Sequence, residues 1–280
     1  MRTEVAHPQV AVGEPFDGIL LDLDGCVYAG ARPIPGAAEV LRGLAAAGVP
    51  YGFLTNNASR TAAEAAAHIS SFGVDARAEQ VMSSGMVAAQ ALAASVPAGA
   101  RVLVVGAPAL AGEIEAAGLV PVASAAEAPA AVVQGFAADT DWHALAEACV
   151  AVRAGAEWWA TNLDPTLPTE RGPMPANGAF VRIVAETTGQ RPRVAGKPSA
   201  AMMAAGARMI GAQRPLMVGD RLDTDIAGAH AAGFPSGLVL TGVDTEEAAR
   251  TAPADRRPDF VLDDLTALVP EHRGRLRRLG

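Results

Sequence analysis

Eight short apolar runs, each bounded by turn-forming or acidic residues, constrain this chain more than any other feature. They are FDGILLDL (16–23), YGFL (51–54), VLVV (102–105), AVVQGF (131–136), EWWAT (157–161), LMVG (216–219), GLVL (237–240) and DFVL (259–262). Runs this short and this uniformly apolar suit strands buried on both faces of a parallel sheet. Helical stretches separate most of them. In the first such stretch, Pro35 and Gly36 open a segment with Val40, Leu41 and Leu44 at helical spacing, and Gly48 closes it as a C-terminal cap would. The alternation predicts a doubly wound α/β fold with a parallel, Rossmann-like sheet and right-handed crossovers. Ligands in such folds are held beyond the carboxyl ends of the strands. Chemistry-bearing residues are therefore expected just after strands.

At 280 residues the chain is long for one core and comfortable for two. Abundant alanine and only 4% aromatic residues point to helices packed through small side chains, and helices are expected to outnumber strands. A net charge of −8 argues against nucleic acid or an anionic membrane surface as partner, because both need a positive field. An anionic substrate must then be captured locally. Cys26 and Cys149 lie far apart and form no disulfide framework, so they read as buried thiols in a reducing compartment. The N-terminal residues lack an apolar signal core and no run reaches the roughly 18 apolar residues of a spanning helix, which makes the cytoplasm the expected location. Residues 164–178 (DPTLPTERGPMPANG) read as a long functional loop, and the basic tail after Pro270 as a frayed terminus.

The strongest chemical signal is Asp22-Leu23-Asp24-Gly25, where the first strand runs out. Two carboxylates two residues apart can divide the labour of phosphoryl transfer. The first attacks phosphorus; the second, one step farther out, protonates the leaving oxygen. Gly25 permits the sharp turn between them and the metal. An acidic pair there is also a common helix cap, so the reading depends on other segments. Thr55, after the second strand, offers a hydroxyl, and the amides of Asn56 and Asn57 can hold phosphate oxygens. Lys197, just before Pro198, carries a point charge suited to a carboxylate–phosphate pair. Finally, GDRLDTD (219–225) places three acids in six residues after a buried strand, a pattern for a hard cation such as Mg²⁺. Asp220 is nearest the strand end, and Asp225 is better placed than Asp223 to face back in support.

Taken together, DLDG (22–25), TNN (55–57), GKP (196–198) and GDRLDTD (219–225) resemble, in order, the motifs of the haloacid dehalogenase superfamily. The resemblance implies Asp22 as nucleophile, Asp24 as acid/base, Thr55 and Lys197 as phosphate holders and Asp220 as a metal carboxylate. It further implies that Asp22 and the main-chain carbonyl of Asp24 bind Mg²⁺. Only 33 residues separate Asp22 from Thr55 but 142 separate Thr55 from Lys197, so an inserted domain belongs in the second interval. That spacing is similar to the type 2 cap subgroup, with a catalytic core at 1–84 and 192–280 and a cap at 85–191. TNNASR, NLDPTLPTERG, RVAGKP and VGDRLDTDI are most similar to actinobacterial glycerol 3-phosphate phosphatases. Substrate contacts are then expected from Asn56, Asn57, Arg60 and Asp164, and relatives often pair through their caps. 2-Phosphoglycolate, pyridoxal 5'-phosphate and sugar phosphates are alternative substrates. Two departures stand out: Cys26 replaces the usual threonine or valine, and PANG (175–178) replaces a proline-glycine-asparagine-glycine turn.

Three rival classes fit less well. A dehalogenase, acting on carbon, needs neither Asp24 nor an acidic metal loop. A non-catalytic phosphate-binding module would not need the full catalytic set. A dinucleotide binder would need G-x-G-x-x-G after its first strand, and GAPALAG (106–112) lacks the second glycine. The five histidines are scattered, and His230 reads as a structural residue on a helix.

Overall fold

The computed structural model describes residues 16–169, 171–269 and 277–279. The chain forms two compact units. One holds residues up to Leu54, Ala63–Met82 and those from Ala200 on; the other holds Thr55–Ala62 and Ser83–Ser199. Motif spacing alone places residues 55–62 and 192–199 in the first unit. Side-chain hydrogen bonds from Asn56 to residues 164 and 197 tie these stretches to the second.

A seven-stranded sheet organises the first unit. Its order is Arg277–Arg278, Phe260–Leu262, Ser236–Val239, Leu216–Gly219, Ile19–Asp22, Tyr51–Thr55, Val81–Ser83. Ile19–Asp22 sits near the middle and pairs in parallel with Leu216–Gly219 on one side and Tyr51–Thr55 on the other. Chain connections thus leave the central strand in both directions, the arrangement that opens a crevice beyond its carboxyl end. Ile19, Leu20 and Leu21 are fully buried, each contributing about 1.5–3 kcal/mol of apolar burial. Helix Ala37–Ala46 forms as the spacing predicts: Ala37, Val40, Leu41 and Leu44 are its buried face, and Gly36 opens it with φ +81°. In helix Ala200–Ile210, Gly206 presents only a hydrogen to the sheet. A Cβ there would lie 2.5 Å from Leu54 Cδ2, so the close packing expected of small side chains is real at this seam.

The second unit has a parallel five-stranded sheet ordered Arg193–Val194, Glu157–Ala160, Ala131–Gln134, Arg101–Val105, Val120–Val122. Helices Trp142–Arg153 and Asn177–Thr188 pack together over Leu103, Val105, Val132, Trp158 and Ala160. Residues 164–178 are not an open loop: Thr166–Thr169 and Gly172–Pro175 pair as an antiparallel hairpin, and helix Asn177–Thr188 starts directly after it. Proline and glycine disguise that edge hairpin in the sequence. Strands also outnumber α-helices, sixteen to nine among the described residues, against the expectation from alanine content. Several strands are two or three residues long, too short to leave a compositional trace. No helix among the described residues is long and apolar enough to cross a membrane.

Candidate active site

Three carboxylates meet at the carboxyl ends of the central strands. Asp22 ends Ile19–Asp22, Asp220 follows Leu216–Gly219, and Asp225 returns from the next turn. All three are buried, at 7%, 2% and 0% exposure, and each offers a carboxylate oxygen within 4.8 Å of the others. The return of Asp225 depends on a wide turn over Leu222–Ile226, in which the Ile226 N–H reaches back to the Arg221 carbonyl at 3.2 Å. Such π-turns recur at functional positions because they redirect one side chain. The Arg221 N–H then donates to Asp225 Oδ2 at 3.2 Å. Asp220 is steadied by the Val243 N–H, 2.8 Å from its Oδ2, and the Leu222 N–H donates to Asp244 at 2.7 Å.

Glycine makes room for this crowding. A Cβ on Gly219 would lie 2.2 Å from Asp225 Cγ, and one on Gly242 would lie 2.0 Å from Asp220 Oδ2. Gly25 has φ +83°, a left-handed turn that bends the chain sharply just beyond the two aspartates. Burying three like charges this close is unfavourable unless a cation compensates them. The donors are all oxygen, which suits a hard divalent ion of the Mg²⁺ or Ca²⁺ class. The residues therefore fit the metal that the sequence pattern implies.

Asp24 lies outside this group and is exposed, and the neighbouring Gly25 N–H donates to the Tyr28 carbonyl at 2.8 Å. One carboxylate of the pair faces inward and the other outward. Asp223 is exposed and pairs with Arg221 through two hydrogen bonds of 3.0 and 2.9 Å. Partial burial pushes its carboxyl up, but the Arg221 hydrogen bond and charge outweigh this and leave it below its ordinary value. Cys26 and Cys149 are buried and not joined in a disulfide, the Cys26 thiol donates to the Val218 carbonyl at 3.9 Å, and the ring of His230 contacts the Arg257 carbonyl at 2.8 Å.

The remaining expected residues gather in the second unit. Thr55 is buried and accepts the Asn57 N–H at 3.1 Å through Oγ1. Asn57 Oδ1 in turn accepts from the Ser59 N–H and hydroxyl. Asn56 Oδ1 accepts the Lys197 N–H at 2.8 Å, while its Nδ2 donates to the Lys197 carbonyl and to Asp164 Oδ2, both at 3.2 Å. The Asn56 amide is thereby committed to holding Lys197 and Asp164. Lys197 is buried at 3% exposure, whereas Arg60 is exposed. Three further buried residues join here that the sequence motifs do not single out as site residues: Ser84, Asn162, which opens NLDPTLPTERG, and Asn177, which lies in PANG. Asn162 carries a usable signal, since it follows the strand Glu157–Ala160 closely, as Asp220 follows Leu216–Gly219.

Fold and acidic cluster together define a phosphoryl-transfer type of α/β hydrolase, and the chain belongs to the haloacid dehalogenase-like hydrolase family. The family profile described as haloacid dehalogenase-like hydrolase matches residues 19–120, and the HAD-hydrolase-like profile matches residues 194–268. D-glycerol 3-phosphate phosphatase of Mycobacterium tuberculosis is 48% identical over 92% of this chain and 72% of its own length. A 5'-nucleotidase of Bacillus subtilis is 37% identical over 91% of this chain and 98% of its own. Among solved structures, glycerol phosphate phosphatase from M. tuberculosis in complex with magnesium superposes with a TM-score of 0.88 at 47% identity, covering 93% of this chain and 79% of that one.

Proposed function

We propose that this protein is a Mg²⁺-dependent phosphatase that hydrolyses a small phosphate monoester, glycerol 3-phosphate foremost, through an aspartyl-phosphate on Asp22. The observation that carries this reading is the convergence of buried Asp22, Asp220 and Asp225 at the carboxyl ends of parallel strands. Similarity to the glycerol 3-phosphate phosphatase supports the choice of substrate. Asp22, Asp220, Asp225 and the main-chain carbonyl of Asp24 would hold Mg²⁺, whose charge, when bound, lowers the repulsion between carboxylate and phosphate.

In this reading the Asp22 carboxylate attacks phosphorus and displaces the alkoxide. Exposed Asp24 protonates that alkoxide, then takes a proton from the water that cleaves the acyl-phosphate. Thr55, Lys197 and the main-chain N–H groups of Asn56 and Asn57 bind phosphoryl oxygens, while Asp164 and Arg60 read the leaving group. Residues 85–191 act as a type 2 cap. A cytoplasmic location suits two buried cysteines that form no disulfide. Pairing of two copies through the caps is supported by Trp142, 81% exposed at the start of helix Trp142–Arg153.

The test is phosphate release by the purified protein from glycerol 3-phosphate, 2-phosphoglycolate, pyridoxal 5'-phosphate, a nucleoside 5'-monophosphate and a sugar phosphate, with Mg²⁺ and with the metal chelated. Metal-dependent release that peaks on glycerol 3-phosphate is expected. A peak on another ester keeps the reaction and changes the substrate; no release from any of them favours a non-catalytic phosphate-binding module.

A further inference from the structure

Asn162 is only 6% exposed and has no part in the proposed chemistry, yet it is the junction of a hydrogen-bonded chain. Its Nδ2 donates to the main-chain carbonyl of Asn56 at 2.7 Å, and its Oδ1 accepts the Asp164 N–H at 3.1 Å. Its own carbonyl accepts from Asn177 Nδ2 at 2.8 Å, a donor shared with the Gln134 carbonyl at 3.2 Å. The Asn56 carbonyl also takes the Ser84 hydroxyl at 2.7 Å, so two donors fix the peptide plane from which the Asn56 side chain departs. That side chain meets the N–H and the carbonyl of Lys197 together, much as a neighbouring strand would. Gly196 is pressed from both sides: a Cβ there would lie 2.4 Å from Asn56 Oδ1 and 2.4 Å from the Thr161 carbonyl oxygen. Asp164 is held at its N–H by Asn162 and at its carboxylate by Asn56.

We infer that Asn162 is a positioning residue that sets the main chain of Lys197 through Asn56 and fixes Asp164 directly, so that the lysine segment and the approach to the 166–175 hairpin are registered by one amide. In a buried hydrogen-bonded network each bond restricts the geometry of the next, and removing one member releases the others. The consequence for turnover rests on the phosphatase reading; the consequence for the Lys197 main chain does not.

The decisive readout is hydrogen exchange at the Lys197 amide, which is bonded to Asn56 and not to Asn162. In Asn162→Ala this exchange is expected to quicken about tenfold, the loss of roughly one net hydrogen bond. The amide of Val133, deep in the same unit, should exchange at its wild-type rate. With glycerol 3-phosphate, kcat should fall while half-saturation by Mg²⁺ stays unchanged. Wild-type exchange at Lys197, or equal quickening at Val133, overturns the inference. Should Asn162→Ala fail to fold, Asn177→Ala removes a donor from the Asn162 carbonyl and should quicken Lys197 exchange to a smaller extent; unchanged exchange there overturns it equally. Absence of phosphate release from the wild type would sink the phosphatase reading and leave the exchange result to decide this one.

Discussion

The two units solve the problem of burying polar groups in opposite ways. In the first, Asp22, Asp220 and Asp225 are three like charges within 4.8 Å, crowded by glycines at 219 and 242. In the second, Asn177, Asn162 and Asn56 are neutral amides whose side chains bond in turn the main chains of Asn162, Asn56 and Lys197. Amides bond main-chain groups without burying a net charge, so that network fixes shape without charge repulsion. Three carboxylates buried within 4.8 Å of one another repel, and a cation lowers that repulsion, so binding one stabilises the cluster. Stability and chemistry therefore pull against each other in the first unit and together in the second.

Asp22→Asn breaks the comparison most sharply. Turnover should fall roughly 10⁴-fold or more, because the nucleophile is gone. In the absence of Mg²⁺, however, the variant should melt at a higher temperature than the wild type, since one of three repelling charges has been removed. Turnover near the wild-type rate would sink the nucleophile assignment; a lower melting temperature without metal would show that the three groups do not repel as buried carboxylates.

Gly219→Ala attacks the same cluster by volume alone. The new methyl would stand 2.2 Å from Asp225 Cγ, so Asp225 must leave or the strand end must shift. A loss of about 3 kcal/mol is expected, in the upper range for overpacking, accompanied by weaker Mg²⁺ binding. Thermal unfolding and a Mg²⁺ titration check both. Loss of stability with unaltered Mg²⁺ affinity would remove Asp225 from the metal's surroundings.

Legibility in the sequence divides along the same line. Asp22, Asp220 and the preference for Asp225 over Asp223 are readable because charged residues directly after apolar runs violate the local pattern, and the two-residue and five-residue spacings limit where they can point. The parallel sheet is readable for a related reason, since continuous apolar runs leave few alternatives. The amide network is not. Asn162 and Asn177 are ordinary turn and cap residues by composition, and their role arises only when main-chain carbonyls from residues 56, 134 and 162 come together. The 166–175 hairpin is hidden likewise, because its prolines lie on paired edges where no pattern of alternation survives.

Mg²⁺ should raise the melting temperature of the wild type by an amount that grows with concentration, worth about 2.7 kcal/mol at a hundredfold excess over Kd. Asp220→Asn should nearly abolish that increment, whereas Asn56→Ala, in the amide region, should leave it intact. A metal increment lost equally in both variants would erase the distinction between the two regions.

The smallest effect belongs to a carboxylate of the second unit that has found donors. Glu147 accepts the Ala125 N–H at 2.5 Å and the Ser124 hydroxyl at 2.9 Å, and these, the main-chain donor first, hold its carboxyl below the ordinary value. A depressed folded-state pKa means stability that is present above the ordinary glutamate value near 4.3 and is lost as pH falls through the folded one. Glu147→Gln should accordingly melt slightly below the wild type at pH 7, and the gap should close once both proteins are well below pH 4. A gap that persists in acid would mean that packing rather than charge holds Glu147, and that the second unit, unlike the first, draws nothing from its carboxylates.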